Sequence, residues 1–205
     1  MRTEIMVQNQ LLEVFLQGTI LETDKCAIAI VGTREPTPAG IKTAKMFSSS
    51  LAKEGITIVS GLARGIDTAA HQAALDAGGR TIAVLAHGTD TIYPPENWKL
   101  ANEIMKHGCL MTTFKPGTPP FKKNFLARNQ LIAGLSLAVL VIEGQRRSGT
   151  LSTAAHAAAM GIEVFVIPGS PATDWLKKQG ANVANSPQDI LDYIDNLGAL
   201  PITPP

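Results

Sequence analysis

The sequence predicts an α/β fold of three layers, with a mostly parallel, doubly wound sheet of the extended Rossmann-like kind. Two observations carry that expectation. Five short apolar runs rich in β-branched residues recur along the chain, each nearly continuous rather than alternating, as in strands covered by helices on both faces. Longer segments with helical spacing separate them, and alternating strand and helix is the pattern of parallel sheets with right-handed crossovers. The chain has 205 residues, 45% apolar and 17% charged. That suffices for a domain of ordinary size and is too hydrophobic for a disordered protein.

Taken in order, residues 1–25 read as an N-terminal helical extension, in which the amphipathic segment 11–16 forms a short helix on the core. A Rossmann-type domain follows over residues 26–197. Its first strand is 27–31, and its first helix spans 39–54, where Thr43, Phe47 and Leu51 stand four residues apart on one face. Strand 56–59, helix 67–77, strand 81–85 and helix 96–107 continue the alternation. Residues 115–124 carry Pro116, Gly117, Pro119 and Pro120 and read as a loop, and a loop of that length tends to carry function. Strand 138–142, helix 150–160 and strand 163–167 complete the pattern. Residues 198–205, with Pro201, Pro204 and Pro205, read as a disordered tail.

Net charge is +1, so the whole molecule draws neither nucleic acid nor an anionic membrane. Locally the balance differs. Residues 115–147 hold Lys115, Lys122, Lys123, Arg128, Arg146 and Arg147 against Glu143 alone, six minus one or +5, with Phe121 and Phe125 interleaved and Phe114 just before them. Cations interleaved with aromatics suit a single strand, whose bases stack while its phosphates are neutralised. Phenylalanines in the core beside solvated lysines would give the same pattern. Cys26 and Cys109 sit in apolar runs without metal spacing and read as buried, reduced thiols of a cytoplasmic protein. The N-terminus leads into no signal-peptide core, and the longest apolar stretch, 131–142, has 12 residues against the ~20 that span a bilayer, so no membrane partner is expected.

In open parallel sheets, ligands bind outside the carboxyl ends of the strands. The segments there are Gly32, Thr33 and Arg34; Ser60, Gly61, Leu62, Ala63, Arg64 and Gly65; residues 87–90; and residues 144–150, ending in Ser148, Gly149 and Thr150. Glycine lets amides approach an anion, helix N-termini are partly positive, and arginine adds a planar donor fork, so the shared logic is phosphate binding. Glycines that merely make tight turns are the plainer reading of any one loop. None matches G-x-G-x-x-G or a P-loop. Asp67 and His71, four apart, read as a helix cap and a structural neighbour in preference to a catalytic pair. No catalytic residue, metal or cofactor is expected.

Ser60-Gly-Leu-Ala-Arg-Gly-Ile-Asp67, followed by His71, resembles the hallmark of the DNA processing protein A (DprA/Smf) family. So do Val31-Gly-Thr-Arg34, Tyr93-Pro-Pro-Glu-Asn97, Pro116-Gly-Thr-Pro-Pro120, Arg128-Asn129, Ile132-Ala-Gly-Leu-Ser136, Ser148-Gly-Thr-Leu151 and Pro168-Gly169, in order along the chain. The resemblance implies a domain that binds single-stranded DNA, a RecA-type recombinase as partner, a homodimer, and no established catalytic reaction. By motif it assigns Arg34, the turn from Ser60 to Gly65, Lys122 or Lys123, Arg128 and Asn129 to the DNA site. Phosphates are then expected on the amides near Gly61 and Gly65, with Arg34, Lys122, Lys123 and Arg128 neutralising charge. About five contacts would give a log–log salt slope of roughly −3.5.

The chain departs from the family where Gln130 replaces the last arginine of R-N-R and where Thr173-Asp174-Trp175 replaces a G-C-N segment. Family members often add an N-terminal helical domain and a C-terminal winged helix, for which this chain has no room. The alternative is a nucleotide-binding protein or a nucleoside-monophosphate phosphoribohydrolase of the lysine-decarboxylase-like (LOG) type, whose P-G-G-x-G-T-x-x-E motif is missing here.

Overall fold

The structure, a computed structural model, describes residues 1–146 and 148–200. Nine strands form one sheet: β1 (Arg2–Val7), β2 (Gln10–Gly18), β3 (Ala27–Val31), β4 (Thr57–Ser60), β5 (Thr81–Val84), β6 (Gly108–Thr112), β7 (Ala138–Val141), β8 (Glu163–Val166) and β9 (Asn182–Val183). Their order across the sheet is β1-β2-β6-β5-β4-β3-β7-β8-β9. From β6 to β9 every pair is parallel, while β1 with β2 and β2 with β6 are antiparallel. The described residues form seven α-helices, α1 (Pro38–Lys53), α2 (Ile66–Asp76), α3 (Trp98–His107), α4 (Lys122–Gly134), α5 (Gly149–Ala159), α6 (Pro171–Lys178) and α7 (Pro187–Asn196).

The pleat sorts the strands' side chains onto two faces. Ile28, Ile30, Ile58 and Leu140 pack with Phe47 and Leu51 of α1, Ala70 of α2, and Ile190 and Ile194 of α7. Ala29, Val59, Val84, Met111 and Val139 point the other way, against Leu131 and Ile132 of α4, Ala154 and Ala157 of α5, and Leu176 of α6. The three expected layers are therefore present, with α3 beside α2 over Leu85 and Leu110. Among the described residues no helix is long and apolar enough to cross a membrane. Cys26 and Cys109 are buried and unpaired, and burial pushes their thiols up to about 11 and about 12, far from the reactive thiolate.

One expectation fails at the N-terminus. Residues 1–25 hold a β-hairpin, and residues 11–16 are strand, not helix. The turn residues Gln8 and Asn9 both take positive φ, 47° and 62°, the backbone of a tight two-residue hairpin turn. Val14 and Leu16 are buried two apart with Leu12 packed behind them, and the antiparallel register of β2 on β6 fixes that face inward. The hairpin thus extends the same sheet. The loop at 115–124 is shorter than expected, because α4 begins at Lys122. Strands β6 and β9 and helices α4, α6 and α7 add to the alternation read from the sequence. Ala199 packs partly against the α7 side of the core, within the stretch read as tail, and residues 201–205 lie outside the described residues.

Candidate nucleic-acid interface

The strand order reverses at β3. From β3 the chain moves outward through α1 to β4, and from β7 it moves the opposite way through α5 to β8. The loops leaving β3 and β7 diverge and open a crevice, as expected at a topological switch point. That crevice is a cleft of about 750 Å³, walled by the β3 loop (Gly32, Thr33, Arg34), one face of α4 and the N-terminus of α5 (Ser148, Gly149, Thr150). Lys122, Phe125, Asn129 and Ile132 contribute the α4 face. Their spacing of three, four and three residues is that of a single helical stripe.

Arg34 is exposed, and its guanidinium lies 5.1 Å over the Phe125 ring. Tyr93 meets the same ring edge-on, 5.9 Å between centroids. Lys122 and Lys123 are both exposed, and Lys122 alone of the two lines the cleft. Among the described residues Arg34 and Lys122 have no carboxylate partner. Glu143, the one acid in the basic segment, accepts from the Thr37 amide at 3.1 Å and the Thr37 hydroxyl at 2.9 Å, at the N-terminus of α1. Arg147 lies outside the described residues.

Arg128 is different. It is only 6% exposed, and its Nη1 donates to Gly61 O at 2.6 Å and to Val84 O, while Nε donates to Asn129 Oδ1 at 3.2 Å. Burial pulls the guanidinium down to about 10, with Asp67 opposing, so it stays charged at neutral pH. Asn129 in turn donates to Gly149 O at 3.0 Å, tying α4 to the start of α5. Arg128 therefore holds the ends of β4 and β5 together, with an edge of the side chain reaching the cleft.

The turn from Ser60 to Gly65 also faces inward. Asp67 Oδ2 accepts from the amides of Gly61 (3.1 Å) and Ala63 (3.4 Å), and His71 Nε2 accepts from Leu62 (3.3 Å). Ser60 donates to Ile30 O, the Leu62 side chain is fully buried, and Arg64 pairs with Glu96. Of the turn's residues only Ala63 lines the cleft. The amides that the glycine pattern offers to a phosphate near Gly61 are already engaged by the protein itself. Gly61 is required by contact, since a Cβ there would lie 2.3 Å from Arg128 Nη1. Gly65 is required by backbone, with φ of 79° and a Cβ position 2.4 Å from Thr33 O. Leu62 holds a φ of 56° without being glycine, an arrangement its bonds to His71 and Asn97 enforce.

Asp67 is not the helix cap. Gly65 occupies that position, and the Asp67 carboxylate turns back onto the loop. Burial pushes its carboxyl up, against the pull of Arg128 and the loop amides. His71 keeps one tautomer: Nδ1–H donates to Thr81 Oγ1 at 2.6 Å, because Thr81 itself donates to Ile58 O, and Nε2 accepts. Burial lowers its pKa from 6.5 to about 3. The unfolded chain then binds the extra proton between those values, so stability is full above about pH 6.5 and falls by up to ~1.4 kcal/mol per unit as pH drops. In urea unfolding the midpoint should decrease from pH 7 to pH 5. A His71→Gln chain, whose amide accepts from Leu62 and donates to Thr81 without titrating, should show a smaller decrease. Equal slopes for the two chains would remove His71 from this role.

The sequence marks Phe125 only as an interleaved aromatic and does not mark Tyr93, Ile132 or Thr153 as cleft residues; the helical stripe of Lys122, Phe125, Asn129 and Ile132 is the signal that locates two of these, Phe125 and Ile132.

The sequence matches the family described as DNA recombination-mediator protein A over residues 3–195. It is 41% identical to Protein Smf of Escherichia coli over 198 residues, 93% of this chain and 53% of that protein. The crystal structure of DNA processing protein A from Streptococcus pneumoniae superposes with a TM-score of 0.82 at 40% identity, covering 88% of this chain and 65% of that one. A Helicobacter pylori DNA processing protein A structure, described for its single-stranded DNA binding mode, gives 0.82 at 30% identity, covering 90% and 87%. The chain spans about half the length of the curated relatives it matches.

Proposed function

The chain belongs to the DNA recombination-mediator protein A family, and from that membership we propose that it binds single-stranded DNA in the cleft between the β3 loop, α4 and α5. The observation that carries this reading is Arg34, exposed and, among the described residues, without a carboxylate partner, lying over Phe125 in a cleft that Lys122 also enters. A guanidinium held by a ring face can move to an incoming phosphate and leave the ring for a base. Such stacking accepts any base, which suits a strand gripped without sequence preference.

The cleft is read as a binding site and not a reaction centre. Both ring nitrogens of His71 are engaged, and the Asp67 carboxylate faces loop amides, so neither is poised to move a proton. By the same membership we assign the chain to DNA recombination, with a RecA-type recombinase and a second copy of itself as partners. Co-precipitation with the recombinase and sedimentation at rising concentration test those two assignments.

With Arg128 inside the protein and the Gly61 amide engaged, the cations left for phosphates are Arg34 and Lys122 in the cleft and Lys123, exposed next to Lys122 outside its lining. Three contacts predict a log–log salt slope of about −2, shallower than five would give. Fluorescence anisotropy with labelled single-stranded and duplex oligonucleotides at several salt concentrations measures it. Weaker binding of duplex and a slope near −2 are expected, and a slope near zero overturns the reading. Adenosine monophosphate should compete poorly and release no adenine, whereas release would establish the phosphoribohydrolase alternative.

A further inference from the structure

Glu143 bridges the two loops whose divergence opens the cleft. It follows β7, and the β3–β7 ladder runs on into it: Ile142 donates to Val31 O at 3.1 Å, and Thr33 donates to Glu143 O at 2.8 Å. The Glu143 carboxylate then reaches across to Thr37, accepting from its amide at 3.1 Å and its hydroxyl at 2.9 Å. Thr37 is the N-cap of α1, and its hydroxyl accepts from the Gly40 amide at 3.0 Å. Glycine at 40 admits this approach, since a Cβ there would lie 2.1 Å from Glu143 Oε2. One residue on the β7 side therefore holds both ends of segment 33–37, and Arg34 stands inside it.

The segment is also braced from the α2 side. Thr33 O accepts from the Ile66 amide at 3.2 Å, and a Cβ at Gly65 would lie 2.8 Å from both Arg34 C and Pro36 Cδ. Glu143 has a firm base of its own. The next amide, Gly144, donates to Ser170 Oγ at 3.1 Å, and Gly144 O accepts from Ala172 at 3.0 Å. The tie thus runs from the start of α6 to the loop that carries Arg34. A carboxylate here opposes phosphate binding by simple repulsion, and Glu143 is the one acid in segment 115–147. Its bonds to the Arg34 loop are the contribution that offsets that repulsion.

We propose that Glu143 is a positioning residue for strand binding: by tying Thr37 to the end of β7 it sets the width of the cleft and keeps Arg34 over Phe125, where a phosphate meets it. The inference rests on Arg34 contacting the strand in the cleft. It assigns the effect to the reach of the side chain and not to its charge. Glutamine keeps the reach without the charge, and aspartate keeps the charge on a side chain one methylene shorter.

Anisotropy titrations with an oligothymidylate of roughly 12 nucleotides test this, with urea unfolding of each chain alongside. Glu143→Ala and Glu143→Asp should weaken binding several-fold and make the salt slope shallower by up to about 0.7, the share of one phosphate. Glu143→Gln, whose side-chain oxygen still accepts from Thr37, should retain the affinity that the other two lose. In an Arg34→Ala chain, adding Glu143→Asp should have almost no further effect, whereas independent residues would add to within about twofold. The Asp and Gln chains carry the test should Glu143→Ala not fold. If Asp binds like wild type while Gln binds more tightly, the carboxylate acts only by repulsion and the proposal is overturned. It is overturned equally if Ala and Asp lower the urea midpoint but leave affinity and slope unchanged, for then Glu143 only braces the fold. In both cases Arg34→Ala still weakens binding and the cleft reading stands. If Arg34→Ala itself binds like wild type, the cleft reading falls and this inference with it.

Discussion

Arg128→Ala is expected to lower stability by about 3 kcal/mol or more, as removing one partner of a buried charged pair does. Two backbone carbonyls, Gly61 O and Val84 O, lose their donor, and Asp67 keeps a buried carboxylate whose opposing charge is gone. Urea unfolding measures the effect. Arg128→Lys retains the charge, but a single ammonium cannot reproduce the planar fork, so an intermediate midpoint is expected. A wild-type midpoint in Arg128→Ala, combined with lost DNA binding, would place the guanidinium on the strand instead of between β4 and β5.

Phe125→Ala should behave in the opposite way. Phe125 is only partly buried on the cleft side of α4, so stability changes little, while affinity for a single strand falls by about 1–3 kcal/mol, roughly 5- to 150-fold. The loss should be similar for different base compositions. Arg34→Ala should weaken binding too and make the salt slope shallower by about 0.7, the share of one phosphate on a single strand. Anisotropy titrations at three or more salt concentrations separate the two variants: one changes affinity at constant slope, the other changes both. Unchanged affinity in both would empty the cleft of its role.

The parallel core was legible because strands buried on both faces cannot alternate, and the runs at β3, β4, β5, β7 and β8 do not. Family likeness was equally legible, since its motifs fall at the carboxyl ends of those strands. The hairpin was not. Leu11, Leu12, Val14 and Leu16 satisfy a short helical pattern as well as a strand pattern, and only the pairing of β2 with β6 decides between them. Within the site, the sequence shows which residue types gather but not which way they point. Arg34 and Arg128 both read as phosphate donors; one lies over a ring in the open and the other is fixed between two carbonyls. The glycine turn likewise looks ready for an anion, yet Asp67 and His71 already supply its acceptors. Those distinctions depend on contacts between segments far apart in the chain, as between Arg128 and Gly61, and no local pattern encodes them.

The most direct test is a crystal structure with a short oligothymidylate. A thymine ring on Phe125 and backbone phosphates beside Arg34 and Lys122 are expected, with Arg128 still bonded to Gly61 and Val84. A strand bound along the β1 edge, or an empty cleft in a crystal that demonstrably contains the oligonucleotide, would contradict it.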